Sequence, residues 1–131
     1  MRYWGLDTII CPSCKHYPLK LIIFNKTEED IPDKNIPKPF CRTYCGYLNK
    51  PVKEGEDYPC EKCLRIEIVE GIVYCPNCMH WFPIRDGILV ILPDKKRNEQ
   101  HDKAFLNKYK DKIPEEILVK GKPFNLKKLA L

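Results

Sequence analysis

The sequence lacks the segments that mark membrane proteins, secreted proteins and most enzymes. No apolar run approaches the roughly 18 to 20 residues that cross a bilayer, and the longest runs are residues 21–24 and 88–92. Asp7 interrupts the N-terminal apolar stretch and Cys11 follows at once, which is not the layout of a signal peptide. Neither a glycine-rich phosphate loop nor a nucleophile–base pattern is present. We therefore expect a cytoplasmic protein with no membrane contact and no catalytic activity of its own.

Most of the chain has no net charge, and an excess of positive charge occurs only in the C-terminal segment. The 131 residues suffice for one domain. Residues 1–93 hold 12 basic and 12 acidic side chains, whereas residues 94–131 hold 11 basic and 6 acidic ones, so the whole net charge of +5 lies in the C-terminal segment. A basic tail of this kind can help to hold RNA, and a solvated Lys-rich surface is the simpler interpretation.

The cysteines give the strongest chemical signal. All 8 cysteines fall into four closely spaced pairs. The pairs are Cys11/Cys14, Cys41/Cys45, Cys60/Cys63 and Cys75/Cys78. A short spacer on a tight turn directs two thiolates at one metal ion, and two such knuckles complete a closed tetrahedral zinc site with no position left for water. The spacing therefore predicts structural zinc, as one ion, or as two ions if every pair contributes.

The sequence leaves open which pairs share a site. A sequential order joins the first pair to the second, and a nested order joins the first pair to the fourth and the second to the third. The strand predicted after Cys14 and the hairpin predicted before Cys75 favour the nested order, with the inner four cysteines as a second site. Disulfides are the main alternative. His16 and His80, each two residues after a pair, are either substitute ligands or polar neighbours of the metal.

Hydrophobic patterning predicts a small antiparallel sheet. Strands are predicted at residues 17–24, 64–69, 72–74, 81–84 and 88–92. Turns are predicted at residues 70–71 and 86–87, where glycine follows an acidic residue. Beyond the last strand, apolar residues at helical spacing predict a helix over residues 99–113, and the chain from residue 120 to 131 is predicted to be poorly ordered.

These elements indicate a small α+β zinc-binding domain with a zinc-ribbon-like antiparallel core. Residues 1–24 and 60–93 form the predicted zinc-binding β core. Residues 25–59 hold five of the 12 prolines, which is typical of an irregular insertion, here with its own cysteines to order it. Residues 94–131 form a basic and partly helical C-terminal extension.

One part of the sequence is specific enough to resemble a known family. Residues 75–93 read CPNCMHWFPIRDGILVILP, and residues 11–15 read CPSCK. These motifs resemble the multifunctional methyltransferase-subunit family, the small zinc-binding activators of tRNA, rRNA and release-factor methyltransferases in eukaryotes and archaea. The resemblance covers about residues 6–24 and 64–93. Leu89 replaces the family's usual proline, and the insertion and the tail lie outside the family pattern.

The resemblance implies a non-catalytic subunit that forms a heterodimer with an S-adenosylmethionine-dependent methyltransferase and meets RNA only through that complex. In the family, a strand of the zinc module pairs with the enzyme's sheet and covers an apolar face. The matching residues are Phe82, Pro83, Ile84, Ile88, Leu89, Val90, Ile91 and Leu92. The residues themselves agree, because an apolar strand at 88–92 is unsuited to an exposed edge. A central position in the chain's own sheet would bury the same strand.

Two other functions compete with the activator. A stand-alone zinc-ribbon module that binds RNA or DNA would use the basic tail and aromatic side chains such as Trp4 and Trp81, but the neutral residues 1–93 offer it no basic stripe. A thiol redox protein is less favoured because no βαβ pattern surrounds any cysteine pair. Many Lys, Glu and Ile residues together with paired cysteines suit a thermophilic archaeon.

Overall fold

The structure, a computed structural model, describes residues 1–30 and 36–126. Its strands are β1 (Lys20–Glu28), β2 (Tyr44–Cys45), β3 (Lys50–Pro51), β4 (Ile66–Tyr74), β5 (Trp81–Arg85) and β6 (Ile88–Leu89). Its helices are α1 (Cys60–Arg65), α2 (Glu99–Lys108) and α3 (Glu115–Lys120), with 3₁₀ turns at Tyr3–Asp7 and Asp94–Lys96. One antiparallel sheet has the order β1-β4-β5-β6, and β2 pairs with β3 in a separate ribbon. This arrangement confirms the predicted α+β fold class.

Two apolar layers cover the two faces of the sheet. The first layer includes the N-terminal 3₁₀ turn, the outer cysteine loops and part of the insertion. Its buried residues are Tyr3, Leu6, Cys11, Leu19, Tyr44, Cys63, Ile66, Ile68, Val73, Cys75 and Ile84. The second layer is built by the C-terminal helices against β1, β4 and β5. Its buried residues are Phe24, Ile72, Trp81, Phe105, Leu106, Ile113, Ile117, Leu118 and Leu126.

The C-terminal extension is therefore part of the core and not only a solvated tail. The ring of Phe105 in α2 stacks on Trp81 of β5 with their centroids 5.8 Å apart, and Leu126 is buried near the end of the described chain. α2 ends at Lys108, so the predicted helix over 99–113 is too long. A turn in which Lys112 N–H donates to the Tyr109 carbonyl follows the helix.

The structure describes only part of the segment that was predicted to be poorly ordered, residues 120–131. Residues 120–126, predicted to be poorly ordered, are placed in the structure, while residues 127–131 lie outside the described part. Among the described helices, none is long and apolar enough to span a bilayer.

Gly71 lies in the middle of a strand and not in the predicted turn at 70–71. β4 continues through Gly71, which pairs with Ile23 of β1. A Cβ at this position would stand 2.5 Å from the carbonyl oxygen of Ile22. Glycine is required here because the two backbones approach closely beside a bulge, where the register of β1 shifts after Ile23. The predicted strands 64–69 and 72–74 are thus one strand, and it begins after α1.

The turn at Asp86-Gly87 is confirmed. Both residues have left-handed backbone angles, with φ of 50° for Asp86 and 80° for Gly87. Two consecutive left-handed residues are what a two-residue hairpin turn between β5 and β6 requires. This turn fixes where the chain re-enters the sheet as β6 and so places the apolar segment that follows.

Candidate metal centre and apolar sheet edge

The outer two cysteine pairs lie on loops of the same backbone conformation. The Cys11 carbonyl accepts the Lys15 N–H at 2.9 Å, and the Cys75 carbonyl accepts the Met79 N–H at 2.9 Å. Each of these two cysteines donates its own N–H to the carbonyl five residues later, at 3.0 Å and 2.8 Å. Lys15 and Met79 both have a φ of 67°. Because the two turns match, each C-x-x-C loop presents both of its sulfur atoms to the same side.

The two loops bring four sulfur atoms together. Cys11 Sγ lies 3.5 Å from Cys78 Sγ, and Cys14 Sγ lies 3.5 Å from Cys75 Sγ. All four sulfur atoms are within 4.8 Å of one another. Zinc–sulfur bonds of about 2.3 Å in a tetrahedron place the sulfur atoms roughly 3.8 Å apart, so the four cysteines fit a closed zinc site. The structure thereby joins the first pair to the fourth, which is the outer half of the nested order.

The four thiols differ in how readily they lose a proton. Hydrogen bonds from the Asn77 side chain, 3.4 Å from the sulfur, and from the His16 backbone lower the pKa of Cys14 to about 6. Burial raises the pKa of Cys75, and it raises the pKa of Cys78 to about 12. Cys14 thus ionises more readily than Cys75 and Cys78. The buried thiols need the charge of a cation beside them to become thiolates.

His80 is a neighbour of the sulfur atoms and supports them from outside. Its Nδ1 lies 3.3 Å from Cys78 Sγ, and its Nε2 lies 3.0 Å from Asp94 Oδ2 and 3.4 Å from Ser13 Oγ. Metal-binding groups are commonly held in position by such polar partners. Within the described chain, the group of candidate ligands contains only the four cysteines, so His16 and His80 are not placed as substitute ligands.

The sheet ends at β6 in an edge that carries apolar side chains. Ile88 is 64% exposed, Ile91 is 38% exposed and Leu92 is 40% exposed. At the opposite edge, β1 presents the charged residues Lys26 and Glu28 to solvent, which is how exposed edges are normally protected from pairing. The apolar edge at β6 therefore has the character of a surface that another molecule covers.

Backbone groups along this edge remain open to pairing. β6 is shorter than the predicted strand, and beyond it the Val90 N–H donates to the Pro83 carbonyl at 2.9 Å. In an antiparallel ladder, the residues on either side of such a pair turn their N–H and C=O groups outward. The backbone groups of Leu89 and Ile91 therefore face away from β5. The segment is an edge and not a central strand of the sheet.

Three residues predicted to bind a partner lie inside the fold instead. Phe82, Pro83 and Ile84 belong to β5, which is flanked by β4 and β6, and all three are buried. They are therefore not surface contacts in this structure. Phe82 lines a cleft of about 660 Å³ whose walls include Ile91 and Leu92. The exposed part of the surface predicted from the motif is thus the segment that begins at β6, together with this cleft.

Comparison with known proteins decides the family. The sequence profile described as Trm112p-like protein matches residues 6–87, which is more than half of the chain. The chain belongs to the Trm112p-like family. A chain in the structure of the E. cuniculi Mtq2–Trm112 complex, responsible for the methylation of the eRF1 translation termination factor, is similar in fold, with a TM-score of 0.50 and 20% sequence identity over 68% of this chain and 93% of that chain. No curated protein matches.

The Trm112p-like match agrees with the family indicated by the cysteine and hairpin motifs. It includes both outer cysteine pairs, the insertion and strands β1 to β5. It ends at Gly87, so the apolar edge and the layer of α2 and α3 lie beyond the matched range. The outer four cysteines of this Trm112p-like chain can hold a metal ion, and their all-sulfur donor set is consistent with zinc.

The insertion of this Trm112p-like chain gathers the inner four cysteines around one cavity of about 10 Å³. Cys41 lies on the bend that enters β2, Cys45 is the last residue of β2, and Cys60 and Cys63 belong to α1. Burial and the nearby thiols raise the pKa of Cys41 to about 11 and of Cys63 to about 12. All 8 cysteines are free thiols in the structure. Among the described residues, only the outer four have all their sulfur atoms within 4.8 Å of one another.

Sequence reasoning missed how Asp7 ties the insertion to the core. Its carboxylate accepts the backbone N–H groups of Arg42, Thr43 and Tyr44 at 2.9, 2.8 and 2.8 Å, and the Tyr17 hydroxyl at 3.2 Å. Burial by itself raises the pKa of Asp7. The hydrogen bonds lower the pKa by more than burial raises it, so the pKa lies below its ordinary value. No local pattern signals this role, because the N–H donors are more than thirty residues away in the chain.

Proposed function

We propose that this chain is the non-catalytic activating subunit of an S-adenosylmethionine-dependent methyltransferase, and that the two proteins form a heterodimer. The observation that carries the proposal is the exposed apolar segment 88–92 along a sheet edge, in a member of the Trm112p-like family. The similar fold in a complex responsible for methylation of a translation termination factor supports it.

The edge at β6 would contribute backbone groups and apolar side chains to a strand-pairing interface. Backbone N–H and C=O groups that face outward at Leu89 and Ile91 would pair with a strand of the enzyme, as in β-strand addition. Ile88, Ile91 and Leu92 would lose their contact with water at the same time, which stabilises the complex. An enzyme with an apolar sheet edge of its own would gain solubility and stability from this contact.

The outer cysteines give this interface a rigid support. When bound there, zinc supplies structural cross-linking and no reaction chemistry, since a site of four thiolates leaves no open position. The Cys11 loop precedes β1 and the Cys75 loop connects β4 to β5, so these residues would fix the end of the sheet beside the cleft. His80 would hold the sulfur of Cys78 from the cleft side while it bonds Asp94.

The finer parts of the proposal concern substrate and location. We propose that the partner methylates tRNA in the cytoplasm, with rRNA and a translation release factor as the other substrates that the family resemblance implies. The basic residues of the C-terminal extension would then help the complex to hold RNA. A stand-alone RNA- or DNA-binding module is not favoured, because membership of the Trm112p-like family indicates a partner protein.

The proposal is tested by affinity purification of the tagged full chain from its own cell extract, followed by mass spectrometry. We expect one or more methyltransferases at near one-to-one stoichiometry, and no methylation by the chain alone. Recovery of RNA or ribosomal material without a methyltransferase would contradict the proposal and support the nucleic-acid-binding alternative.

A further inference from the structure

The insertion has little apolar material of its own with which to hold its shape. Between the end of β1 and the start of α1, the regular structure of its described residues is the ribbon of the two-residue strands β2 and β3. Among the described residues, the buried cluster at the insertion consists of Cys45, Tyr58 and Cys60, with Ile36, Tyr47 and Val52 packed against it. Segments with so small a core usually depend on a disulfide or a metal ion for order. The insertion and α1 together carry four cysteines that could supply either one.

Those cysteines converge on one place. Cys45, Cys60 and Cys63 are buried, and together with Cys41 they line the same small cavity. The Phe40 N–H points at Cys60 Sγ at 3.5 Å, which is the kind of contact that supports a sulfur ligand from outside. The cavity of about 10 Å³ is close to the space of one water-sized sphere, roughly 10 to 15 Å³, so it has room for a single ion.

We infer that the insertion holds a second structural metal ion, bound by Cys41, Cys45, Cys60 and Cys63 and separate from the centre formed by the outer cysteines. Four thiolates in a closed set select a soft or borderline cation, with zinc as the fitting one. Each thiol gives up its proton when it binds the ion, and the protons pass to solvent. This inference does not depend on the methyltransferase partner.

Binding requires local movement of the segments that carry the inner cysteines. Among the described cysteines, the inner sulfur atoms are spaced more widely than the outer ones. Cys41 is the only one of the inner four that is not buried, and it lies on a bend outside the ribbon. We expect metal binding to draw the sulfur atoms of Cys41, Cys45, Cys60 and Cys63 together, which closes the site over the cavity.

The number of metal ions per chain tests the inference. The full chain is purified under reducing conditions, incubated with zinc chloride alone, desalted and measured by native mass spectrometry together with elemental analysis. We expect two zinc ions per chain in the unaltered protein and one in the Cys60→Ser/Cys63→Ser variant. Tyr58→Phe is the matched control, since it alters the same cavity without removing a sulfur atom, and it should retain two ions.

A milder pair of variants separates loss of a ligand from loss of folding. Cys41→Ser removes the ligand that is least buried, and Cys41→His replaces it with another zinc ligand. In a cobalt titration of the metal-free chain, the thiolate–cobalt absorption should saturate at two equivalents for the unaltered chain and for Cys41→His. It should saturate near one equivalent for Cys41→Ser, with the spectrum of the outer site unchanged.

Two results would overturn the inference. One is a single zinc ion per chain in the unaltered protein, with four thiols still reactive toward a thiol reagent. The other is an intact mass four hydrogens below that of the reduced chain, which would mean that the inner cysteines form two disulfides. Neither result bears on whether a methyltransferase co-purifies, so the proposed function is tested independently of this inference.

Discussion

At the scale of single residues, the insertion is joined to the core by a carboxylate. Asp7 ends the N-terminal 3₁₀ turn and bonds three successive backbone N–H groups at the entry to β2. An anion that accepts several backbone N–H groups is strongly favoured over its protonated form. One side chain therefore helps to fix the position of the insertion, and its contribution depends on pH.

We predict that Asp7→Asn lowers the free energy of unfolding by about 1 to 2 kcal/mol at neutral pH, because a hydrogen bond to a half-buried charge is replaced by a weaker one. The pKa of Asp7 in the folded chain lies below its ordinary value of 3.8. Its contribution is therefore present above that value and is lost as the pH falls through the folded pKa. Urea unfolding at several pH values measures this.

The exposed Asp111, replaced by Asn, provides the control for the change in charge. The difference between the unaltered chain and Asp7→Asn should narrow as the pH falls below about 4, whereas Asp111→Asn should have little effect throughout. A loss of stability in Asp7→Asn that stays constant down to low pH would show that the carboxylate charge is not responsible.

Gly71 is needed because the backbones of β1 and β4 approach closely at this residue. We predict that Gly71→Ala destabilises the chain by about 1 to 3 kcal/mol, because the added Cβ meets the backbone of β1, which moves only at the expense of the sheet. Gly5→Ala is the comparison, since a Cβ there would meet only the flexible Met1 side chain, 3.1 Å away at its nearest, and it should cost about 1 kcal/mol or less. Equal losses in chemical denaturation would contradict the steric explanation.

At the scale of elements, a buried ion pair fixes α2 to the sheet. Arg97 Nε donates to Asp102 Oδ2 at 2.8 Å, and Arg97 Nη1 donates to the Trp81 carbonyl at 2.7 Å. The guanidinium also lies over the Trp81 ring, 4.6 Å from its centroid. Arg97 Nη2 is buried without a hydrogen-bond partner among the described residues. Asp102 is therefore the charged partner of the buried Arg97, and the pair helps to hold the start of α2 against β5.

We predict that Asp102→Ala lowers the free energy of unfolding by about 3 to 5 kcal/mol, because it leaves the Arg97 charge buried without its partner. Glu99→Ala is the control in the same helix, where an exposed pair with Lys103 at 2.8 Å is lost, and it should cost less than about 1 kcal/mol. Urea unfolding measures both. Recovery of stability in the double variant Arg97→Met/Asp102→Leu would support the explanation that an unpaired buried charge is responsible. Similar losses of stability in Asp102→Ala and Glu99→Ala would refute it.

At the scale of the whole molecule, the chain covers both faces of its sheet but leaves one edge open. The outer cysteine loops and the insertion cover one face, and α2 and α3 cover the other. β1 protects its edge with charges, whereas β6 and the residues after it present isoleucine and leucine. The open edge at β6 is the one to which we propose that a strand of the enzyme is added.

We predict that Ile88→Asp/Ile91→Asp reduces the recovery of a co-purified methyltransferase at least tenfold, because the charges would be buried in the interface without partners. Leu48→Asp is the matched control, since Leu48 is 39% exposed and Ile91 is 38% exposed. Zinc content and thermal unfolding should match the unaltered chain in both variants. Loss of metal and folding in the double variant would mean instead that the segment belongs to the core.

Much of the candidate site could be predicted from local spacing. The C-x-x-C pairs predict metal knuckles because two residues suffice to bend the chain around an ion. The Asp86-Gly87 turn was predictable because few residue pairs adopt two left-handed conformations. The motif around Cys75 also identified the family. By contrast, Glu70-Gly71 has the same local form as a turn, and only its position beside β1 makes it part of a strand.

The sequence alone establishes four pairs of closely spaced cysteines, an α+β domain and membership of a family of small metal-binding subunits. The tertiary structure decided which cysteines meet, that Phe82 to Ile84 are buried while Ile88 to Leu92 form an edge, and that the basic extension covers a face of the sheet. The reason is physical. Ligand spacing and turn geometry depend on residues a few positions apart, whereas burial depends on which distant segments remove water from an apolar surface.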